Sequence, residues 1–283
     1  MRTLASMSEI VRVGGWALRG AGLSFGVAER GSRLLAFTEA VHGGAVRDVC
    51  AHGPIIARST LPEGITHARR TDGGWDLDGG GRHLVEAGPL LADLATSDAR
   101  RQGQGHARLS HVVGFIFVTA LADLLVQRRL TGLCVYRADE KSRLPPSVAR
   151  SGWILFGQRG NRSVFATGAA NDPLARQIEE ILGETTFGPA VSGELSKASS
   201  WGEGYLAAVA FGARNETGNS LLSLLNRPEV GSALRDYAGQ VAASYRDGVS
   251  MESQDLQDLY DLEMRTWAPT SERSRSQAGY GKF

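Results

Sequence analysis

A glycine-containing turn between charged residues is the first place where the sequence could support chemistry. Arg19 precedes the turn, Gly22 and Gly26 lie at it, and Glu29 follows it. Glycine leaves space beside the backbone for a bound molecule, and an arginine and an acid would be its polar partners. We therefore predict that Arg19, Gly22 and Gly26 bind a ligand and that Glu29 is catalytic. A salt bridge between Arg19 and Glu29 is the alternative interpretation.

His42 is the second candidate catalytic residue. It lies beside Gly43-Gly44 and forms a local polar group with Glu39 and Asp48. The alternative is a histidine at a helix end, stabilised by the negative end of the helix dipole. No two histidines share the i, i+4 spacing that places two metal ligands on one helix face, so we predict no metal. A site assembled from distant positions stays open among the six histidines: His42, His52, His67, His83, His106 and His111.

A polar segment near the end of the chain, SERSR, is the third candidate. Its hydroxyls, acid and arginine could close over a small anionic ligand, since arginine binds carboxylates bidentately. The alternative is an ordinary solvated tail. The predicted ligand-binding residues of this segment are Ser271, Glu272, Ser274 and Arg275.

Familiar catalytic motifs are missing from the sequence. It has no GxSxG nucleophile elbow, because the GLSFG of residues 22–26 follows a helical pattern and not a strand, and it has no SxxK pair. The GAGLSFG segment follows a helical pattern and not a strand, which argues against a dinucleotide-binding loop. Cys50 and Cys134 are isolated and are expected to be buried, reduced thiols. The sequence assigns no cofactor, and the cofactor is left unknown.

Two helices folded into a hairpin, from Ser6 to Gly44, should position the first two candidates. Ser6 and Glu9 have the spacing of a capping box, and Ser24 can cap the second helix. Apolar residues recur at helical spacing in both segments. Glycine within a helix costs about 1 kcal/mol relative to alanine, so we expect Gly14, Gly15, Gly26 and Gly31 to let the two helices approach closely.

The middle of the chain mixes strand and helix patterns. A short helix over 45–51 should end at His52-Gly53-Pro54, and Gly74 begins a short strand. A strand over 106–113, a helix over 115–127 and a strand over 133–137 predict a crossover with parallel neighbours. GQRGN predicts a tight β-hairpin. Beyond Phe187 the chain reads as mostly helical.

Both ends of the chain resemble an uncharacterised bacterial family, known as domain of unknown function 3726. The resemblance lies in LRGAGLSFGVAE, within residues 8–29, and in TWAPTSERSR followed by AGYG, within residues 266–281. It implies the order of elements between these segments, with residues 190–232 as additional material. Arg30 stands where the family tends to have a second acid, so a role that needs that acid is not carried over. No activity of the family transfers to this chain.

Length and composition favour one α/β (or α+β) domain over 1–283. The chain has 42% hydrophobic residues and a net charge of +1, without the basic surface that nucleic-acid binding requires. No signal peptide or membrane span is evident, so the protein is expected to be cytoplasmic, with neither nucleic acid nor membrane as partner. We predict a helical hairpin packed on a small mixed sheet, with a mostly helical C-terminal third. The predicted segments are 6–54 (helical), 73–187 (mixed α/β core), 188–265 (helical) and 266–283 (polar tail).

Two hypotheses about function stay open at this point. The first is an enzyme of small-molecule metabolism that acts on a small carboxylate or amide, such as a hydrolase, with its pocket between the N-terminal hairpin and the sheet. The second is a non-catalytic accessory subunit or interaction module, which would associate as a homo-oligomer or with another subunit.

Overall fold

An eight-stranded mixed sheet forms the centre of the protein. The computed structural model describes residues 1–58, 68–71, 73–140, 142, 144–146, 148–170, 172–183 and 202–266. In the large sheet the strand order is β2-β3-β4-β8-β5-β6-β7-β9, and a separate two-stranded sheet joins β1 to β10. The strands are β1 (Arg2–Ala5), β2 (Arg69–Thr71), β3 (Gly74–His83), β4 (Gln104–Val113), β5 (Thr131–Arg137), β6 (Ser151–Arg159), β7 (Arg162–Ala169), β8 (Tyr205–Phe211), β9 (Leu234–Arg235) and β10 (Val249–Glu252).

Helices cover both faces of this sheet, so the predicted α/β class is confirmed. On one face, α4 and α5 pack on the central strands, and α2 packs on α4 and α5. On the other face, α6 and α7 cover β5 to β8 and bury Trp153 and Leu155. The helices are α1 (Met7–Gly20), α2 (Phe25–His42), α3 (Ala45–Arg58), α4 (Leu84–Gln102), α5 (Val118–Gln127), α6 (Pro173–Gly183), α7 (Glu216–Leu225), α8 (Tyr237–Asp247) and α9 (Ser253–Met264).

The N-terminal hairpin forms as the sequence predicts. The Ser6 hydroxyl accepts from the Glu9 amide while the Glu9 carboxylate accepts from the Ser6 amide, which confirms the capping box. Ser24 begins α2 without a side-chain hydrogen bond. A Cβ at Gly14 would lie 2.7 Å from Leu35 Cδ2, so this glycine does allow the close helix contact. The predicted turn between β6 and β7 is also confirmed, with Gly160 at a φ of +59°.

Two local predictions are wrong. Helix α3 does not end at Gly53-Pro54 but continues to Arg58, because Val49 and Ile56 lie on one fully buried face that extends across this region. Strands β4 and β5 are not neighbours, because β8 lies between them and pairs antiparallel with both. The sequence of β8 is buried over nearly its whole length, as a central strand requires. The parallel pair is instead β3 and β4.

One edge of the sheet collects the ends of strands that are far apart in sequence. The β registers place Leu109, Leu206, Tyr136, Gly152 and Ala169 in one row across five strands. The carboxyl ends of β3, β4, β5 and β7 therefore point to the same edge. None of the described helices is both long enough and apolar enough to cross a membrane.

Candidate active site

A cavity of about 220 Å³ opens at this edge of the sheet, beside the ends of β5 and β7. Its polar lining comes from five elements, and Val148 and Ala149 of the loop between β5 and β6 line another part. The volume suits a small metabolite. The polar side chains in the lining are Thr119, Tyr136, Thr167, Arg235 and Tyr237.

Tyr237 is the central polar group of the cavity. It is the first residue of α8, and the preceding Asp236 caps the helix by accepting from the Gly239 amide at 3.0 Å. The side chain is 4% exposed and lines the cavity together with Thr119 and Thr167. Burial raises the pKa of Tyr237 above its ordinary value. The phenol is therefore neutral at pH 7.

His42 lies directly behind Thr119. Its Nε2 is 3.1 Å from Thr119 Oγ1, and its ring meets the Tyr237 ring edge-on at 5.5 Å between centroids. Burial lowers the pKa of His42 to about 4, so the imidazole is neutral at pH 7. The turn after His42 is fixed by Glu39, whose carboxylate oxygens accept from the amides of Gly44 and Val46. The three members of the predicted Glu39–His42–Asp48 group thus have different partners.

Arg235 supplies positive charge to the cavity. Its Nη1 donates to the carbonyl oxygens of Ser232 and Leu234, both at 2.9 Å. Within the described part of the chain it has no ion pair. A half-buried guanidinium without an acidic partner is a favourable site for a carboxylate, which it binds through charge-assisted hydrogen bonds. Its charge also counters the effect of burial on the pKa of Tyr237.

A second polar cluster joins Asp48, His52 and His83, whose candidate ligand atoms lie within 4.8 Å of one another. His83 ends β3 and is fully buried. Its Nδ1 accepts from the Val85 amide at 3.2 Å, which leaves the ring proton on Nε2, 2.9 Å from Asp48 Oδ2. His52 Nδ1 lies 2.9 Å from the Asp48 carbonyl oxygen, which makes that nitrogen a donor as well.

This hydrogen bonding disfavours a metal between the three side chains. A metal needs a lone pair on the imidazole nitrogen that it binds, and here His83 Nε2 and His52 Nδ1 both carry protons that point to Asp48 groups. Desolvation of Asp48 is outweighed by its hydrogen bonds from the two histidines, which lower its pKa to about 2. The cluster is better described as a carboxylate held by two imidazoles.

The residues predicted near the first turn lie apart from the cavity lining. The Arg19 guanidinium stacks on Trp16 at 4.7 Å from the ring centroid, and Glu29 pairs with Arg33 at 2.8 Å. The alternative Arg19–Glu29 salt bridge therefore does not form. Gly22 and Gly26 are exposed, and a Cβ at Gly26 would meet nothing within 4 Å.

The ligand roles of these residues stay predictions, as do those of Ser271, Glu272, Ser274 and Arg275. The tail residues lie outside the described part of the chain. Of the predicted catalytic pair, only His42 contacts a residue of the cavity.

Sequence reasoning missed Thr119, Tyr237 and Arg235. The signal for Thr119 is one hydroxyl in the first turn of a mostly apolar helix. The signal for Tyr237 and Arg235 is their position on either side of Asp236, a helix-capping residue. Neither pattern indicates a site by itself, because the three side chains meet only through the packing of β9 and α8 against α5 and β7.

No protein-family model matches the sequence, and no curated protein matches it. Solved structures do resemble the fold over most of their length. Malate dehydrogenase from Pyrococcus horikoshii aligns at 10% identity with a TM-score of 0.61, over 95% of this chain and 97% of that one. Sulfolactate dehydrogenase from Methanocaldococcus jannaschii aligns at 11% identity with a TM-score of 0.60, over 93% and 97%.

Delta1-piperideine-2-carboxylate reductase from Pseudomonas syringae pvar. tomato aligns at 11% identity with a TM-score of 0.58, over 92% of this chain and 99% of that one. Identities this low establish a shared fold. They do not transfer an activity to this chain.

Proposed function

We propose that the chain is an enzyme of small-molecule metabolism that binds a small carboxylate in the Tyr237 cavity. The observation that carries this proposal is Arg235, a guanidinium without an acidic partner in the described structure, lining the same small cavity as the hydroxyls of Tyr237, Thr119 and Thr167. The arginine would hold the carboxylate, and the hydroxyls would bind a polar group on the neighbouring carbon. Similarity to the domain of unknown function 3726 remains our proposal for the family.

Oxidation or reduction of the carbon beside the carboxylate is the reaction that we propose. The similar enzymes are named for malate, sulfolactate and piperideine-2-carboxylate, and all three compounds carry a carboxylate next to a carbon with a hydroxyl or an imine. These similarities lend no support to a hydrolase or to an accessory subunit. The proposal is therefore an oxidoreductase acting on a 2-hydroxy or 2-imino acid.

Such a reaction needs an electron partner, for which a nicotinamide dinucleotide is a suitable class. A cavity of about 220 Å³ has room for a small acid but not for a dinucleotide as well. At the start of α4, which follows the glycines of β3, the Val85 amide is already bound by His83. The described residues thus offer no evident phosphate cradle, and we assign none of them to a cofactor.

Calorimetric titration with malate, lactate, sulfolactate and piperideine-2-carboxylate tests the binding site. Arg235→Gln should weaken binding of the preferred acid by about 10- to 100-fold, because a hydrogen bond to a charged group contributes about 1.5–3 kcal/mol. Arg33→Gln, which removes an exposed arginine paired with Glu29, is the matched control and should leave affinity unchanged. Equal affinities for wild type and Arg235→Gln would contradict the site.

Turnover is tested by following nicotinamide absorbance with each acid in the presence of either dinucleotide. A chain ending at Thr266 tests the predicted tail, because loss of Ser271, Glu272, Ser274 and Arg275 should weaken acid binding if the segment closes over the ligand. Unchanged affinity in the shortened chain would rule out that role.

A further inference from the structure

A second cavity, of about 490 Å³, lies between the second half of α4 and the end of α5. We propose that it binds a phosphate group, either as the free ion or as part of a small phosphate ester, through the guanidinium groups of Arg100, Arg101 and Arg128. The volume leaves room for the organic part of an ester beside the phosphate. The residues that line the cavity are Asp93, Thr96, Ser97, Arg100, Arg101 and Arg128.

This cavity lies at the opposite end of α5 from the Tyr237 cavity. Thr119, in the first turn of α5, lines the Tyr237 cavity, whereas Arg128 directly follows the last turn. A helix rises about 1.5 Å per residue, so these two positions are about 14 Å apart along the helix axis. Among the described residues the two cavities share none of their lining. The phosphate site therefore serves a ligand other than the reacting acid, and it does not depend on the proposed function.

Arg128 is held in place before any ligand binds. Its Nη1 donates to Thr96 Oγ1 at 2.9 Å, and its Nη2 donates to Asp93 Oδ1. The other oxygen of Asp93 accepts from Arg30 of α2. A guanidinium has five N–H donors, so Arg128 keeps donors for a ligand after these two bonds. A donor that is already fixed loses little conformational entropy when a ligand binds.

Arg100 and Arg101, in the last turn of α4, supply two more exposed guanidinium groups. Arg100 has no acidic partner within the described part of the chain. Arg101 donates to Asp98 at 2.9 Å, and Asp98 is shared with Arg70 at 3.6 Å. Guanidinium groups bind phosphate oxygens through paired, charge-assisted hydrogen bonds. These two side chains can therefore close on an anion that Arg128 holds. Their donors are side chains and not the backbone amides of a dinucleotide-binding loop.

The charge around the cavity stays positive after the acids that line it or pair with its arginines are counted. Five arginines surround two carboxylates, Asp93 and Asp98. The C-terminal ends of α4 and α5 each add a partial charge of about −0.5. The remaining excess is about +2, which matches the charge of a phosphate dianion. The five arginines are Arg30, Arg70, Arg100, Arg101 and Arg128.

Calorimetric titration with inorganic phosphate and with a nucleoside monophosphate tests the site. Sodium chloride keeps the ionic strength constant, so that general screening does not contribute to the difference. We expect both phosphates to bind. Tighter binding of the monophosphate would assign the site to a phosphate ester, and equal binding would assign it to the free ion. Absence of binding by both at about 10 mM would overturn the proposal.

Arg100→Gln should weaken phosphate binding by about 5- to 10-fold, a modest effect because the side chain is exposed. The variant should melt like the wild type, since Arg100 has no ion pair to lose in the described structure. Arg246→Gln is the matched control, because it removes an exposed arginine from the last turn of α8, outside the cavity lining. It should leave the affinity unchanged. Wild-type affinity in Arg100→Gln, or equal weakening in both variants, would overturn the site.

Asp93→Asn provides a test in the opposite direction. Its carboxylate lines the cavity and repels an anion, so its removal should strengthen phosphate binding by about threefold or more. General damage to the network of Arg30, Asp93 and Arg128 would weaken binding instead. An affinity that Asp93→Asn leaves at the wild-type value would show that phosphate binds elsewhere.

Discussion

Gly114 shows how one missing side chain sets the position of a buried histidine. It has a φ of +85°, and a Cβ there would lie 2.3 Å from His83 Nε2. The backbone must approach this closely for the His83 ring to lie against Asp48. The same edge of the ring is therefore closed to any larger group.

Gly114→Ala should destabilise the protein by about 3 kcal/mol or more, since it combines left-handed backbone strain with a clash that the buried ring cannot relieve. Gly103→Ala is a matched control, because Gly103 has a similar φ of +79° and its nearest contact is Asn215 Nδ2 at 3.7 Å. It should cost only the backbone strain, about 1–2 kcal/mol. Urea unfolding of both variants measures the difference, and equal losses would contradict the clash.

In the two helices of the N-terminal hairpin, some glycines are required for close packing and others are not. A Cβ at Gly31 would lie 2.9 Å from Leu18 Cδ1 and 3.1 Å from Val85 Cγ2, so this glycine is required where α2 crosses α1 and α4. Gly26, in the same helix, has open space around it. The sequence alone predicts the same packing role for all four helix glycines, and only the packing in the structure distinguishes them.

Gly31→Ala should therefore lower the free energy of unfolding by about 1–3 kcal/mol through overpacking. Gly26→Ala should leave it unchanged or raise it by up to about 1 kcal/mol, because alanine is the better helix former. Thermal and urea unfolding of the two variants check the pair. Equal losses of stability in Gly26→Ala and Gly31→Ala would contradict the open space beside Gly26.

What the sequence predicts correctly at this scale is encoded locally. Ser6 and Glu9 are three residues apart, and Gly160 lies inside its own turn, so their structures depend on near neighbours. The central position of β8 was missed because it depends on pairing with β4 and β5, which are distant in sequence. In the pairing with β5, for example, Cys134 lies opposite Ala208, more than 70 residues further along the chain. Tertiary burial also carries α3 through Pro54, against the local signal.

At the scale of the whole molecule, the candidate active site depends on this same non-local pairing. His42 could be found from sequence because it lies in a polar group beside two glycines. Its partners come from α5, β7 and the start of α8, which are brought to one edge of the sheet by the strand order. A balanced overall charge gives no indication of this site, because its polar lining consists of only one arginine and four hydroxyl side chains.

The buried histidines predict that the free energy of unfolding of the whole protein decreases at acidic pH. Burial lowers the pKa of His106, which is 1% exposed, from 6.5 to about 4, and the same holds for His42. Between these values the unfolded chain binds protons that the folded protein does not, so stability is fully present above pH 6.5 and falls as the pH drops to about 4. Each histidine contributes up to about 3 kcal/mol to this loss.

Below about pH 4, protonation of the Asp48 carboxylate causes a further loss of stability. Its pKa in the folded protein is about 2, against an ordinary value of 3.8, so its contribution is present above pH 3.8 and is lost as the pH falls toward 2. Urea unfolding from pH 7 to pH 3 should show a net loss that begins near pH 6.5 and is partly offset by Asp123, because burial raises the pKa of its carboxyl to about 6 and the folded protein binds that proton more tightly than the unfolded chain. His106→Gln should flatten the decline between pH 6.5 and pH 4 because glutamine does not titrate, and an unchanged slope in that variant would show that His106 takes up its proton without unfolding.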